Sequence, residues 1–217
     1  MAVDFDRERA RMVAEQLEAR GIQDDAVLAA MRTVPRHLFV EPALRERAYD
    51  DTPLPIGEEQ TISQPYMVAL MSETLALRPG ERVLEVGTGS GYQAAVLAEL
   101  GVEVVTLERI PALAARACQV LGSLGYLARV TPEVADGTLG WAARAPYDAV
   151  VVTAGAPCIP RPLVEQLAPG GRLVLPVGED ELQTLVRIRR GPDGLIEEYF
   201  GDCRFVKLLG SYGWEEP

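Results

Sequence analysis

Histidine and lysine are almost missing from this chain: His37 and Lys207 stand alone among 217 residues. One histidine excludes a multi-histidine metal site, and a Ser-His-Asp triad would have to be built on His37. One lysine excludes lysine chemistry away from position 207. Positive charge is in short supply too. Acidic residues outnumber basic ones by 32 to 21, a formal net charge of −11. A general nucleic-acid binder carries the opposite surplus. The three cysteines, Cys118, Cys158 and Cys203, form no C-x-x-C pair. So low and odd a count argues against a disulfide framework and for a reducing compartment. No apolar run reaches the ~18 residues that span a bilayer. The opening MAVDFDRERARMVAEQLEARG is charged and amphipathic, without the apolar stretch of a signal peptide. These absences predict a cytoplasmic chain with no metal and with neither nucleic acid nor membrane as partner. No coiled-coil heptads are present, so a monomer is expected.

What is present is ordinary globular composition, 48% hydrophobic and 24% charged, sufficient at this length for one substantial core. A single domain over 1–217 is expected. Residues 1–78 would form N-terminal helices and a loop, and 79–217 an α/β core. Apolar spacing predicts an amphipathic helix over 4–20, stopped by Gly21. A second helix starts at Asp24 or Asp25 and ends before Pro35. Residues 34–64 hold four prolines and little periodicity, and read as a long irregular loop of the kind that is often functional. Pro65 suits the first turn of a helix running toward Pro79.

From there strands and helices alternate. RVLEVG, VEVVTLE, ARVTPEVADG and YDAVVVTAG read as strands, separated by helices over GYQAAVLAELG and IPALAARACQVLGSLG. A helix over PRPLVEQLAPGG follows, then RLVLPVG, LQTLVRIRR and LIEEYFGDCRFVKLLG as further strands. Alternation predicts a Rossmann-like, doubly wound, mostly parallel seven-stranded sheet. The short turn Gly191-Pro192-Asp193-Gly194 predicts antiparallel pairing at one edge.

The most informative stretch is Val83 to Tyr92, VLEVGTGSGY. Gly87, Gly89 and Gly91 allow a tight turn and close approach of Thr88 and the backbone to a ligand. A dinucleotide fingerprint needs its third glycine at 92, where this chain has Tyr. Glu85 beside the loop disfavours a phosphate and favours a cationic ligand group. Glu108 ends the next strand, 21 residues after Gly87, where an acid binds ribose hydroxyls. A nucleoside with positive charge and no phosphate suits both carboxylates, and S-adenosyl-L-methionine is such a molecule. The alternative is a plain strand-turn-helix with glycines chosen for packing. Asp136-Gly137, after the third strand, either contacts the adenine or is a plain turn.

Gln60-Thr61-Ile62-Ser63-Gln64-Pro65-Tyr66 narrows the resemblance. Together with VLEVGTGSGYQ, Glu108-Arg109, APYDAVVVTAGAPCIP and LAPGGRLVLPVG, it makes the chain resemble bacterial-type protein-L-isoaspartate O-methyltransferases over residues 10–214. The resemblance implies methyl transfer from S-adenosyl-L-methionine to the α-carboxylate of L-isoaspartyl residues in damaged proteins and peptides, leaving S-adenosyl-L-homocysteine. It places the active-site serine at Ser63, oriented toward the carboxylate rather than acting as a covalent nucleophile. Ile62 and Gln64 would offer backbone donors. Tyr66, Glu85, Gly87, Thr88, Gly89, Gly91, Glu108, Arg109, Asp136 and Gly137 would hold the cofactor. Ala154 and Gly155, in a small-residue segment at the sheet's carboxyl edge, would pair with an extended peptide or form only a packing turn. Tyr66 either approaches the cofactor or packs under the loop, and His37 is read as structural. Relatives often carry an acid in place of Cys158 and Pro in place of Lys207; neither departure touches the cofactor motif, and both are expected to bear on the substrate rim. The ending, Ser211 to Trp214, folds back on the site or covers a strand edge. Two other readings remain: the same cofactor with a small-molecule acceptor, and a silent S-adenosylmethionine-binding protein. A nicotinamide oxidoreductase is disfavoured by the glycine spacing and Glu85.

Overall fold

A computed structural model describes residues 3–215, so the outermost residues of the charged opening lie outside the described part. Helix α1 (Phe5–Met12) is capped by Asp4, whose side chain accepts from the Arg7 N–H at 3.1 Å. The helical path continues through a π turn (Val13–Leu17) and a 3-10 turn (Glu18–Arg20), so it is less regular than its spacing predicts. It stops at Gly21, which adopts φ +94°. Met12, Val13 and Leu17 are all fully buried. In α2 (Asp25–Thr33) the Asp24 carboxylate accepts from the Ala26 and Val27 N–H groups at 2.9 and 3.1 Å, an N-cap that satisfies two otherwise unpaired donors.

The stretch 34–64 is not the irregular loop expected. It contains two 3-10 turns (Arg36–Leu38 and Pro42–Arg47) and an antiparallel hairpin of β1 (Leu54–Gly57) and β2 (Gln60–Ile62). The turn residues Glu58 and Glu59 have φ +52° and +57°. Such turns normally advertise themselves by Asn-Gly at the two central positions; here both are Glu, and only Gly57 before them, at φ +85°, is a turn residue.

After α3 (Pro65–Leu75) comes the alternating part: β3 (Arg82–Val86), α4 (Tyr92–Glu99), β4 (Glu103–Glu108), α5 (Pro111–Ser123), β5 (Val130–Val134) and β6 (Tyr147–Val152). It closes with α6 (Arg161–Glu165), β7 (Leu167–Gly178), β8 (Gln183–Gly191) and β9 (Gly194–Cys203). Strand β7 begins earlier than expected: Ala-Pro-Gly-Gly, read as a helix stop, is strand, with Leu167 opposite Tyr147 and a bulge before Arg172 pairs with Ala149. One seven-stranded sheet runs β5-β4-β3-β6-β7-β8-β9. It is parallel from β5 to β7 and antiparallel thereafter, with Gly191 opposite Gly194 at the predicted turn.

Alternation along the central strands divides the core. Val83, Ala149, Val151 and Val174 pack with α2, α3 and α4. Leu84, Val86, Val150, Val152 and Leu173 pack on the other face. Both faces are covered, so these strands are apolar throughout. Between β3 and β6 the winding reverses. Open α/β sheets bind ligands in the crevice outside the strand ends at such a reversal.

Candidate active site

Past the end of β3 the chain turns sharply through Gly87, Gly89 and Gly91, at φ +98°, +53° and +87°. A side chain at Gly87 would bring its Cβ within 2.4 Å of the Thr153 hydroxyl. That hydroxyl donates to the Gly87 carbonyl at 2.7 Å and approaches the Val86 carbonyl at 3.1 Å, tying the loop to the end of β6. Gly91 caps α4 and packs against Ala117 and Leu121 of α5.

Glu108, 6% exposed, ends β4 beside this loop. One carboxylate oxygen accepts from the Gly89 N–H at 2.8 Å and the other from the Ile110 N–H at 3.0 Å. Each oxygen has further lone-pair capacity, so the carboxylate is fixed in place and still able to accept from a ligand hydroxyl. Glu85 is fully buried, and neither of its carboxylate oxygens has a hydrogen-bond partner. Burial pushes its pKa up to about 8, with the Glu108 charge adding to the shift.

A cleft of about 830 Å³, open mouth included, lies over the sheet reversal. Gly87, Thr88, Gly89, Glu108, Arg109 and Gly137 line it. Ile62, Ser63 and Ala154 line it as well. A broader groove of about 2310 Å³, also counted with its mouth, adjoins it. Ser63 lines both, with Gln60, Thr61, Thr153, Val206, Lys207 and Leu209. Gln64 and Tyr66 line the groove and not the cleft; the Arg20 guanidinium stacks 3.6 Å from the Tyr66 ring centroid.

Several expected residues stand apart from the cleft. Glu85 and Gly91 do not line it. The Asp136 carboxylate accepts from the Thr138 and Ser211 N–H groups, at 2.9 and 2.8 Å. Gly155 is not open to a peptide, which corrects the expectation of pairing there. Its N–H donates to the Val206 carbonyl at 2.7 Å, and its carbonyl accepts from Leu208 N–H and Trp214 Nε1 at 2.8 and 3.0 Å. The chain's own return segment fills the place assigned to the peptide. Ser211 and Tyr212 donate backbone N–H groups to Asp136 and Thr138, and Trp214 covers the Gly155 carbonyl, while none of residues 211–214 lines the cleft. His37 lies elsewhere, stacked on Phe5 with Nδ1 2.8 Å from the Tyr49 hydroxyl. Of the cleft wall formed by Val206 to Leu209, only Lys207 had been singled out in the sequence; Thr153 sat in the small-residue segment also singled out.

The family described as protein-L-isoaspartate(D-aspartate) O-methyltransferase matches residues 7–213. A protein-L-isoaspartate O-methyltransferase 1 of Syntrophobacter fumaroxidans is 58% identical over 213 residues, covering 98% of this chain and 99% of that one. One named protein-L-isoaspartate O-methyltransferase 2, of Geotalea uraniireducens, is 59% identical over 214 residues, with 98% of each chain covered. Among solved structures, a protein-L-isoaspartate O-methyltransferase superposes with TM-score 0.84 at 30% identity, over 94% of this chain and 67% of that chain. A Plasmodium falciparum chain described as the same kind of enzyme, in complex with S-adenosyl-L-homocysteine, gives TM-score 0.82 at 30% identity, over 93% and 98%.

Proposed function

Because the chain belongs to the protein-L-isoaspartate(D-aspartate) O-methyltransferase family, we propose that Ser63 holds the substrate carboxylate where the cleft meets the groove. The enzyme transfers a methyl group from S-adenosyl-L-methionine to the α-carboxylate of L-isoaspartyl residues in damaged proteins and peptides, a repair reaction that leaves the methyl ester and S-adenosyl-L-homocysteine. The observation that carries the role of Ser63 is its presence in the walls of both enclosures.

S-adenosyl-L-methionine suits the residues present. Glu108, held by two backbone N–H groups and lining the cleft, would accept from the ribose hydroxyls. Gly87, Thr88 and Gly89 would pass close beneath the ligand, and Arg109 and Gly137 would flank it. When bound, it supplies an electrophilic methyl group on a sulfonium. The remaining work falls to the protein. A carboxylate is already ionised at neutral pH, its ordinary pKa being about 3.3–3.7, so no strong base is required. This accords with a single histidine placed away from the cleft. Ser63 donates a hydrogen bond that orients one oxygen, and the amides around Ile62 to Gln64 add donors. The walls of the cleft exclude water from the reacting oxygen.

The groove alongside, with Tyr66, Met67, Leu70, Phe200 and Phe205 in its wall, suits an extended peptide. No helix among the described residues is long and apolar enough to cross a membrane. Action in the cytoplasm, as a monomer without nucleic acid or membrane, belongs to the same proposal. The three free cysteines and the charge of −11 support it. Two peptides that differ only in one linkage, L-isoaspartyl against L-aspartyl, test the acceptor with labelled S-adenosyl-L-methionine. Base-labile label on the isoaspartyl peptide alone is expected; equal labelling of both would overturn the assigned specificity.

A further inference from the structure

Arg36 is a charged side chain with 0% exposure. Burial lowers its pKa to about 10, so it stays a cation at neutral pH. Its Nε donates to the Ala48 carbonyl at 2.7 Å and one terminal nitrogen to the Ser63 carbonyl at 2.8 Å. The guanidinium carbon lies 4.8 Å from the centroid of Tyr92, the first residue of α4 and part of the cleft wall. The other terminal nitrogen, Nη1, is buried without a partner. Burying a cation on two carbonyls and a ring face is costly, and an apolar side chain of similar volume would fill the space more cheaply. Packing therefore does not account for an arginine here. What the guanidinium does is grip the carbonyl of Ser63 from inside the core.

That grip has a geometric consequence. In a trans peptide the C=O and N–H point in opposite directions. With the Ser63 carbonyl turned inward to Arg36, the N–H of Gln64 is turned away from the core, and Gln64 lines the groove. This N–H makes no hydrogen bond with any described residue. A buried cation on the carbonyl also polarises the peptide unit and strengthens its N–H as a donor. We infer that Arg36 is a positioning residue for methyl transfer, fixing the Ser63–Gln64 peptide plane so that the Ser63 hydroxyl and the Gln64 N–H converge on the substrate carboxylate. The inference rests on the role given to Ser63.

Arg36→Lys keeps the charge but not the planar two-carbonyl fork. Steady-state methylation of an isoaspartyl peptide and calorimetric binding of S-adenosyl-L-homocysteine are measured for the wild type, Arg36→Lys, Arg36→Met and Ser63→Ala. For Arg36→Lys, kcat should fall by about 10–100-fold, as a small misplacement of reacting groups does, with the S-adenosyl-L-homocysteine Kd within about 3-fold of wild type. Arg36→Met should lose at least as much. Unchanged kcat in Arg36→Lys overturns the inference, and so does a loss of S-adenosyl-L-homocysteine binding as large as the loss of turnover, because Arg36 would then serve only the core. A silent Ser63→Ala beside a slow Arg36→Lys removes the serine's role and leaves Arg36 acting through the Gln64 amide. A slow Ser63→Ala beside a normal Arg36→Lys removes the Arg36 inference alone.

Discussion

Two carboxylates separated by one strand pairing behave differently because of what surrounds them. Glu108 receives two backbone N–H groups, whereas Glu85 is buried with both oxygens unpartnered. The pKa of Glu85 rises from the ordinary 4.5 to about 8. Between these values the folded chain holds a proton that the unfolded chain has released. Stability therefore falls as pH rises through this window, and the full cost is present above it. Glu85→Gln removes the titration and keeps the shape. Without ligand, the thermal midpoint of Glu85→Gln should exceed that of the wild type by a margin that grows from about pH 5 to about pH 8.5. Parallel midpoint curves would show that Glu85 does not titrate in this range.

Among the elements, the hairpin of β1 and β2 is the one that delivers Ser63, and it is also the one with unfavourable turn chemistry. Glu58 and Glu59 both sit in the left-handed region, which costs a residue with a Cβ about 1 kcal/mol or more. The double substitution Glu58→Asn and Glu59→Gly gives the turn residues suited to those angles and should raise stability by about 1–2 kcal/mol, read as a higher urea midpoint with an unchanged slope. No gain would mean that other contacts determine the turn. The central strands present the opposite case. Their β-branched runs and the glycines after β3 agree with the structure at every step, so β3, β4 and β6 and the loop at Gly87 were legible from residue types alone. β2 was not, because the two central residues of its turn, Glu58 and Glu59, are neither Gly, Asn nor Asp. The start of β7 was hidden by Pro169-Gly170-Gly171, turn residues that here form a bulge within a strand.

For the molecule as a whole, the two parts expected within one domain, 1–78 and 79–217, share a core. Met12, Leu17, Met31 and Leu75 belong to the same buried cluster as Val83, Val96, Val151 and Leu185. Arg172 of β7 also reaches across to the Ala76 carbonyl at 2.9 Å and pairs with Glu81. Residues 1–78 and 79–217 should therefore unfold together, with one calorimetric transition whose van't Hoff and calorimetric enthalpies agree. A fragment of 79–217 should show no cooperative transition. Two resolved transitions in the full chain would contradict the shared core.

Residue order alone determined the strand-helix alternation, the antiparallel edge, the glycine loop with its acid at Glu108, and the resemblance carried by the stretch from Gln60 to Tyr66. These are local patterns: apolar period, turn chemistry and fixed offsets along one strand-turn-helix unit. Only the tertiary structure decided that Glu85 is enclosed, that Tyr66 faces the groove, that Val206 to Leu208 occupies the pairing groups of Gly155, and that Arg36 grips Ser63 from 27 residues away. Each of these depends on which distant segments share space. Burial, and the polar contacts that burial makes necessary, arise only when the chain has closed on itself.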